Sequence, residues 1–365
     1  MWDLQLRPLR VPLVEPFVIS TGRVDTTDAV EVALTLQRGG ELFTGFGECA
    51  TLPPITRETP TEVTEAVRGL GLTVGPSPFP SSDSPDAIDE LLSRLGPVAR
   101  AGVETAWLDA LARAKGQTLA RFLDVEVVRA NRIALRHETD VTLPIADPAH
   151  MGDLARAWMA KGFRSLKVKV GRALDEDVAA LRAIVAAAPE ARLRLDANAA
   201  LDADTALALL EAARSIGACI EVYEQPCRAD DLVGMAEVTA RGEVPVVADE
   251  SCRTVEDVDR LADARAATGV NLKLVKHGGP LATLAVGLRA RARGLTLMAG
   301  AMVETRLGLT AMLHVVSALG GVEHVDLDTA LLLADDPYEG GYDEALPTLV
   351  LRDDGRGVGV SPRFR

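Results

Sequence analysis

The sequence predicts an α/β protein: a (β/α)8 barrel joined to a separate α+β module. Three observations predict it. After Asn131 short apolar runs recur about every 25 to 30 residues, with alanine-rich amphipathic stretches filling most of the gaps. That cadence is what parallel strands joined by crossover helices require. Before Asn131 the texture differs, with strand-like runs first and helical patterns afterwards. Finally, several of the later apolar runs end on Lys, Asp or Glu, at the strand ends where such a barrel carries its chemistry.

The first module, residues 1–125, opens with strand-like runs over Leu4 to Leu13, Ala29 to Leu36 and Glu41 to Glu48. Gly39-Gly40 supplies the positive φ of a hairpin turn between the last two. PFVISTGRVDTTD, between the first two, reads as a mobile loop, and TLPPITRETP after Cys49 as a second. Helical patterns follow over Thr61 to Gly69, Ser84 to Leu95 and Val98 to Lys115. The barrel, residues 126–329, has strand candidates at Asp140 to Ile145, Ser165 to Val170, Arg192 to Asp196, Ile220 to Glu224, Pro245 to Asp249, Val270 to Val275, Leu295 to Met298 and His324 to Asp328. Eight strands suffice to close it. The turn-rich tail, about 330–365, is expected to fold back on the first module and complete it. Gly355, Gly357 and Gly359 read as a plain turn, because no helix follows them to make a phosphate loop.

A chain of 365 residues accommodates a barrel and a smaller partner domain. The net charge of −14, with no run of Lys or Arg, argues against nucleic acid as a partner. Cys49, Cys219, Cys227 and Cys252 form no Cys-x-x-Cys pair and lie beside apolar runs, so they read as buried thiols in a reducing compartment. No apolar segment approaches the roughly 18 to 20 residues that span a bilayer, and the N-terminus lacks a signal-peptide core. A cytoplasmic protein with no membrane partner is the expectation.

Chemistry concentrates on a few strand ends. In LKVKV, period-two alternation puts Lys167 and Lys169 on one face, where two ammonium groups repel unless acids lie opposite. Asp196 in RLRLDAN, Glu224 in CIEVYEQP and Asp249 in VPVVADES end three successive candidate strands and would converge on one rim. Oxygen ligands without histidine suit a hard cation such as Mg2+. The plainer alternative is that each acid caps the helix that follows. Lys273 in VNLKLVKHGG ends the sixth candidate strand, across the rim from Lys169. A substrate carboxylate on the cation would then hold its α-carbon between two lysines, so that a proton could leave one face and return to the other through an enediolate. The plainer alternative for each lysine is a side chain snorkelling to the surface.

The set LKVKVG, RLDAN, YEQP, ADES and NLKLVKHGG resembles the enolase superfamily, within it the muconate-lactonizing subgroup, over nearly the whole chain. The resemblance implies a modified TIM barrel, (β/α)7β, under an α+β capping domain. It implies one Mg2+ per subunit on Asp196, Glu224 and Asp249, acid–base catalysis by Lys169 and Lys273, and contact of Lys167 with the substrate carboxylate. It also implies a homo-oligomer acting on a small molecule.

Within that subgroup VDLDTALLL resembles the Asp-x-Asp of dipeptide epimerases, which receives a free α-ammonium; here it is Asp326 and Asp328. Two crowded carboxylates need a cation, and a peptide N-terminus is one. The plainer reading has Asp328 beginning a turn and Asp326 solvated. An Mg2+-dependent epimerase of L,L-dipeptides, inverting the second residue, is the activity implied. Muconate cycloisomerase, o-succinylbenzoate synthase and N-acylamino-acid racemase are the alternatives. The likeness further assigns the backbone of Ala301, Met302 and Val303 in GAMVET to the substrate path. Thr142 falls where a substrate contact is expected, or is a plain strand threonine. Where relatives of this type carry an arginine for an acidic second residue, ungapped placement gives Gly22, with Arg23 one step along; the apolar TLPPI would instead suit a hydrophobic residue.

Overall fold

The computed structural model describes residues 2–19, 22–53, 55–70, 88–130 and 133–363. The chain begins with an antiparallel meander of β1 (Trp2–Ile19), β2 (Gly22–Arg38) and β3 (Glu41–Thr51). Its strands run further than the apolar pattern suggests. The stretch read as a mobile loop is strand on both sides, with Phe17 paired to Val24 and Ile19 to Gly22. The register shifts between Pro12 and Phe17, and that irregularity is what breaks the alternation seen in sequence. Ser20, Thr21 and Pro54 of the two expected loops lie outside the described residues.

Helix α1 (Pro60–Arg68) starts at a capping box between Thr59 and Glu62. Of the helix expected over Ser84 to Leu95 only α2 (Asp89–Leu92) is described, residues 84–87 lying outside the described set. Helix α3 (Pro97–Ala114) is buried from Val98 to Ala112, Arg100 excepted, and packs against β3. The approach is close enough that a Cβ on Gly45 would stand 2.1 Å from the Ala106 carbonyl oxygen, and one on Gly47 2.0 Å from that of Gly102. Only glycine permits that contact. Helix α4 (Leu119–Leu123) and a π turn (Asp124–Val128) follow, neither signalled by the sequence pattern.

The barrel is preceded by β4 (Arg136–Glu138). Its strands are β5 (Val141–Leu143), β6 (Ser165–Lys169), β7 (Arg192–Asp196), β8 (Cys219–Glu224), β9 (Val246–Ala248), β10 (Gly269–Leu272), β11 (Thr296–Gly300) and β12 (His324–Asp326). They form one parallel sheet in sequence order, nearly closed by Asp140 N–H donating to the Val325 carbonyl at 3.0 Å. Helices α5 (Pro148–Ala160), α6 (Leu174–Ala187), α7 (Ala203–Ser215), α8 (Leu232–Arg241) and α9 (Val255–Ala264) fill the first five crossovers. The sixth holds α10 (Leu274–His277) with α11 (Pro280–Ala292), and the seventh α12 (Arg306–Leu319). No helix follows β12, only a 3-10 turn (Thr329–Leu332), so the architecture is (β/α)7β. All eight expected strands exist; the sixth stops at Leu272, with Lys273 just beyond it.

The tail forms strands where turns were expected: β13 (Tyr338–Gly340), β14 (Tyr342–Ala345), β15 (Thr348–Leu351) and β16 (Val360–Pro362). β15 pairs with β4, while Ala334 N–H donates to Pro12 and Val358 N–H to Asp109, at 2.9 and 2.6 Å. The tail therefore ties the meander side of the molecule to the barrel. Cys49, Cys227 and Cys252 are buried free thiols, but Cys219, expected buried, is exposed at the start of β8. No described helix is long and apolar enough to cross a membrane.

Candidate active site

Five consecutive barrel strands carry Lys169, Asp196, Glu224, Asp249 and Lys273 at or just past their C-terminal ends. The two lysines thus stand four strands apart on an eight-stranded rim, with the three acids between them. None of the acids caps a helix: Asp202, Asp231 and Thr254 cap α7, α8 and α9. Nor does any of the three sequence-selected lysines snorkel, Lys167 being 2%, Lys169 8% and Lys273 5% exposed.

Lys167 lies at the centre. Its Nζ is 2.7 Å from Asp326 Oδ2, 2.8 Å from Glu224 Oε2 and 3.0 Å from Asp196 Oδ2. Burial alone would lower its pKa, but the charges of Asp196, Asp326 and Glu224 raise it well above the usual lysine value. Lys169 donates to Asp196 Oδ2 at 2.7 Å and to Asn198 Oδ1 at 3.1 Å, and Lys273 to Asp249 Oδ2 at 2.7 Å. Burial pushes Asp196 and Asp249 up, yet the lysines outweigh it and hold both below the usual carboxylate range. Glu224 goes the other way, raised by burial and by the Asp196 charge.

Asp196, Glu224 and Asp249 are an all-oxygen donor set of the kind a hard divalent cation takes. Glu224 Oε2 is buried and accepts no hydrogen bond of good geometry although the Lys167 ammonium is near. Among the described residues no three acid, histidine or cysteine groups close on one point as they stand. Each of these acids is instead drawn towards an ammonium or amide group. The chemistry of the donors and the orphaned Glu224 oxygen fit a cation such as Mg2+.

Several residues of the site were not singled out from the sequence. Lys276, one helical turn past Lys273, donates to Asp249 Oδ1 at 2.6 Å and to the Asn271 carbonyl at 2.5 Å. Asn271 donates to Glu224 Oε1 at 2.7 Å. Gln225 accepts the N–H groups of Asp249 and Ser251 at 2.8 and 3.1 Å, fixing the next strand end. Asn198, Ala199 and Gln225 have φ of +44, +63 and +34° just beyond Asp196 and Glu224, strain of a kind that gathers at functional sites. Asn198, Gln225 and Asn271 sat inside the motifs DAN, EQP and NLK, which was the available signal.

Asp326 ends β12 and is buried, not solvated. Asp328 does begin a turn, beyond the strand, but it is buried too and accepts the Thr142 N–H at 2.6 Å. A cavity at the rim is walled by Thr142, Lys167, Lys169, Asn198, Asp249, Lys273 and Asp326. Phe17 and Ile19 of β1, with Leu52 and Ile55 after β3, supply its apolar side, and Ala301, Met302 and Val303 another. The last loop is anchored across to β2 by Thr27, whose hydroxyl donates to the Val303 carbonyl at 2.5 Å. Arg23 is not brought into this cavity: it is exposed and paired with Asp25 at 2.9 Å, because it lies in a strand whose neighbour two residues on shares its face.

Residues 1–123 match the family model described as the mandelate racemase / muconate lactonizing enzyme N-terminal domain, and residues 150–365 that of the enolase C-terminal domain-like family. The chain is 35% identical to an L-Ala-D/L-amino acid epimerase of Populus trichocarpa, over 92% of this chain and 79% of that one. It is likewise 35% identical to an aromatic dipeptide epimerase of Herpetosiphon aurantiacus, over 97% of both. The crystal structure of a dipeptide epimerase from Enterococcus faecalis V583, complexed with Mg and L-Leu-L-Tyr, superposes with a TM-score of 0.87 at 28% identity, covering 98% of this chain and 99% of that one. Fold, rim and these likenesses together make the chain a member of the mandelate racemase and muconate lactonizing enzyme family of the enolase superfamily.

Proposed function

We propose that this isomerase is a divalent-metal-dependent dipeptide epimerase, inverting the α-carbon of the second residue of an L,L-dipeptide by 1,1-proton transfer. The observation that supports it most is the strand order Lys169, Asp196, Glu224, Asp249, Lys273, which sets one ammonium at each end of a carboxylate trio. The dipeptide substrates and the Mg named for its relatives agree with that reading.

Asp196, Glu224 and Asp249 would hold the cation, Mg2+ by their chemistry. Bound there, it supplies a Lewis acid that draws charge from the substrate carboxylate and so acidifies the neighbouring C–H. Lys167, kept charged by the acids around it, meets the same carboxylate and offsets the negative charge that grows as the proton leaves. Lys169 takes the α-proton from one face and Lys273 delivers one to the other, with roles exchanged in the reverse direction. Positioned acid–base groups of this kind contribute roughly 10²- to 10⁴-fold each. Asp326 and Asp328 receive the α-ammonium of the first residue, selecting a free amine. Thr142 and the Ala301–Val303 loop bound the substrate, while Phe17, Ile19, Leu52 and Ile55 keep water from the reacting carbon.

The test is incubation of an L,L-dipeptide panel with protein and Mg2+ in D2O, reading deuterium at the second α-carbon by mass. Uptake accompanied by formation of the L,D epimer is expected. Turnover of a muconate or an N-acylamino acid, with no exchange in any dipeptide, would transfer the activity to another branch of the family.

A further inference from the structure

A second cavity adjoins the rim, sharing Ile55, Asp249 and Met302 with the first. It lies between the segment after β3, the start of α3 and the loop before α9. Its apolar wall includes Val98 and Val275, and two arginines, Arg57 and Arg253, line it. The other charged groups facing it are engaged, except that Glu250 keeps one carboxylate oxygen, Oε2, buried without a hydrogen bond. Lys276 is bound to Asp249, and Asp249 also to Lys273. Glu58 accepts the N–H groups of Val98 and Ala99 at 2.9 and 3.1 Å, and Glu250 accepts Asn198 Nδ2 at 3.3 Å. Among the described residues the guanidinium groups of Arg57 and Arg253 have no hydrogen-bond or ion-pair partner.

The backbones that carry them are pinned. Thr56 N–H donates to the Leu52 carbonyl at 3.0 Å and Leu52 N–H to Thr56 Oγ1 at 2.7 Å, just before Arg57. Arg253 N–H donates to Asp257 at 3.0 Å, and its carbonyl is 2.8 Å from His277 Nδ1. Two exposed, unpartnered arginines on anchored backbones over an apolar wall, beside the reacting site, match a short aliphatic stem ending in a carboxylate. Arginine's planar fork suits that group in particular.

We infer that Arg57 and Arg253 form the subsite for the second residue's side chain, and that this side chain is acidic, glutamate or aspartate. The inference rests on the dipeptide-epimerase reading and takes over the role that sequence alone had offered to Arg23.

The experiment compares kcat/KM for L-Ala-L-Glu with that for its neutral isostere L-Ala-L-Gln, with L-Ala-L-Leu as the apolar control. Wild type, Arg57→Gln, Arg253→Gln and the double variant are measured, each checked for an unchanged melting temperature. Wild type should favour glutamate over glutamine by about tenfold or more, mainly through KM, since hydrogen-bonding sites reject analogues that leave their groups unpaired. Each single variant should reduce that ratio and the double variant bring it near one, because L-Ala-L-Glu loses far more kcat/KM than L-Ala-L-Gln. A wild-type ratio near one, a preference for leucine, or a glutamate preference surviving in the double variant would overturn the subsite. Absence of exchange with every dipeptide would overturn the epimerase reading and the subsite with it.

Discussion

Asp328 accepts the Thr142 N–H at 2.6 Å through one carboxylate oxygen and keeps the other buried with no hydrogen bond. Burial and the neighbouring Asp326 charge lift its carboxyl to about 7. Such an acid is neutral below that pH and charged above it, and only the charged form balances an α-ammonium. For a dipeptide substrate kcat/KM is therefore expected to fall as pH drops below about 7, through a rise in KM. Asp328→Asn should remove that limb of the profile and cost roughly tenfold or more at pH 8, the usual scale for losing a buried charged hydrogen-bond partner. The check is a pH series of KM and kcat for both proteins.

Glu304 bears on stability rather than on substrate. Its carboxylate accepts the Met302 N–H at 2.9 Å, and burial together with the Glu48 charge raises it to about 8. Glu48 itself, which joins β3 to the start of α12 through Thr305 and Gly308, is raised to about 7 by burial. A carboxyl whose folded pKa exceeds its unfolded value contributes stability below the unfolded value and loses it as pH rises through the folded one. Stability should accordingly decline between about pH 5 and pH 8. Glu304→Gln should flatten that decline and gain on the order of 1 to 3 kcal/mol at pH 8.5 with little change at pH 5. Urea unfolding at the two pH values measures both.

Cation binding at the acid trio has a readout apart from turnover. A ligand that binds only the folded state at about 100 times its Kd adds roughly 2.7 kcal/mol of stability. Mg2+ should raise the melting temperature of the chelator-treated protein, and Glu224→Gln should abolish or sharply reduce the rise. An equal rise in that variant would place the ion elsewhere. Chelation should also stop α-proton exchange, with Mg2+ restoring it.

The barrel and its rim were legible in the sequence because strand order alone decides which ends are neighbours. Asp196 and Glu224 end their strands, and Asp249 and Lys273 stand one residue past theirs, so a one-dimensional reading was enough. Lys276 was hidden because its role depends on a one-turn helix after β10 that no periodicity announces. The apolar side of the cavity was hidden for another reason. Phe17 and Ile19 sit beyond a register shift that disguised a strand as a loop. Arg23 was misdirected by counting along the chain, since a neighbouring aspartate on the same strand face claims it.

The central claim is that Lys169 and Lys273 address opposite faces of one α-carbon. The most direct measurement is deuterium exchange at that carbon in Lys169→Ala and Lys273→Ala, each offered the L,L and the L,D epimer of one dipeptide separately. Neither variant should interconvert the epimers at more than about a thousandth of the wild-type rate. Each should still exchange the proton of one epimer only, and the two variants should retain opposite ones. Retention of the same epimer by both, or epimerisation surviving in either, would contradict the account.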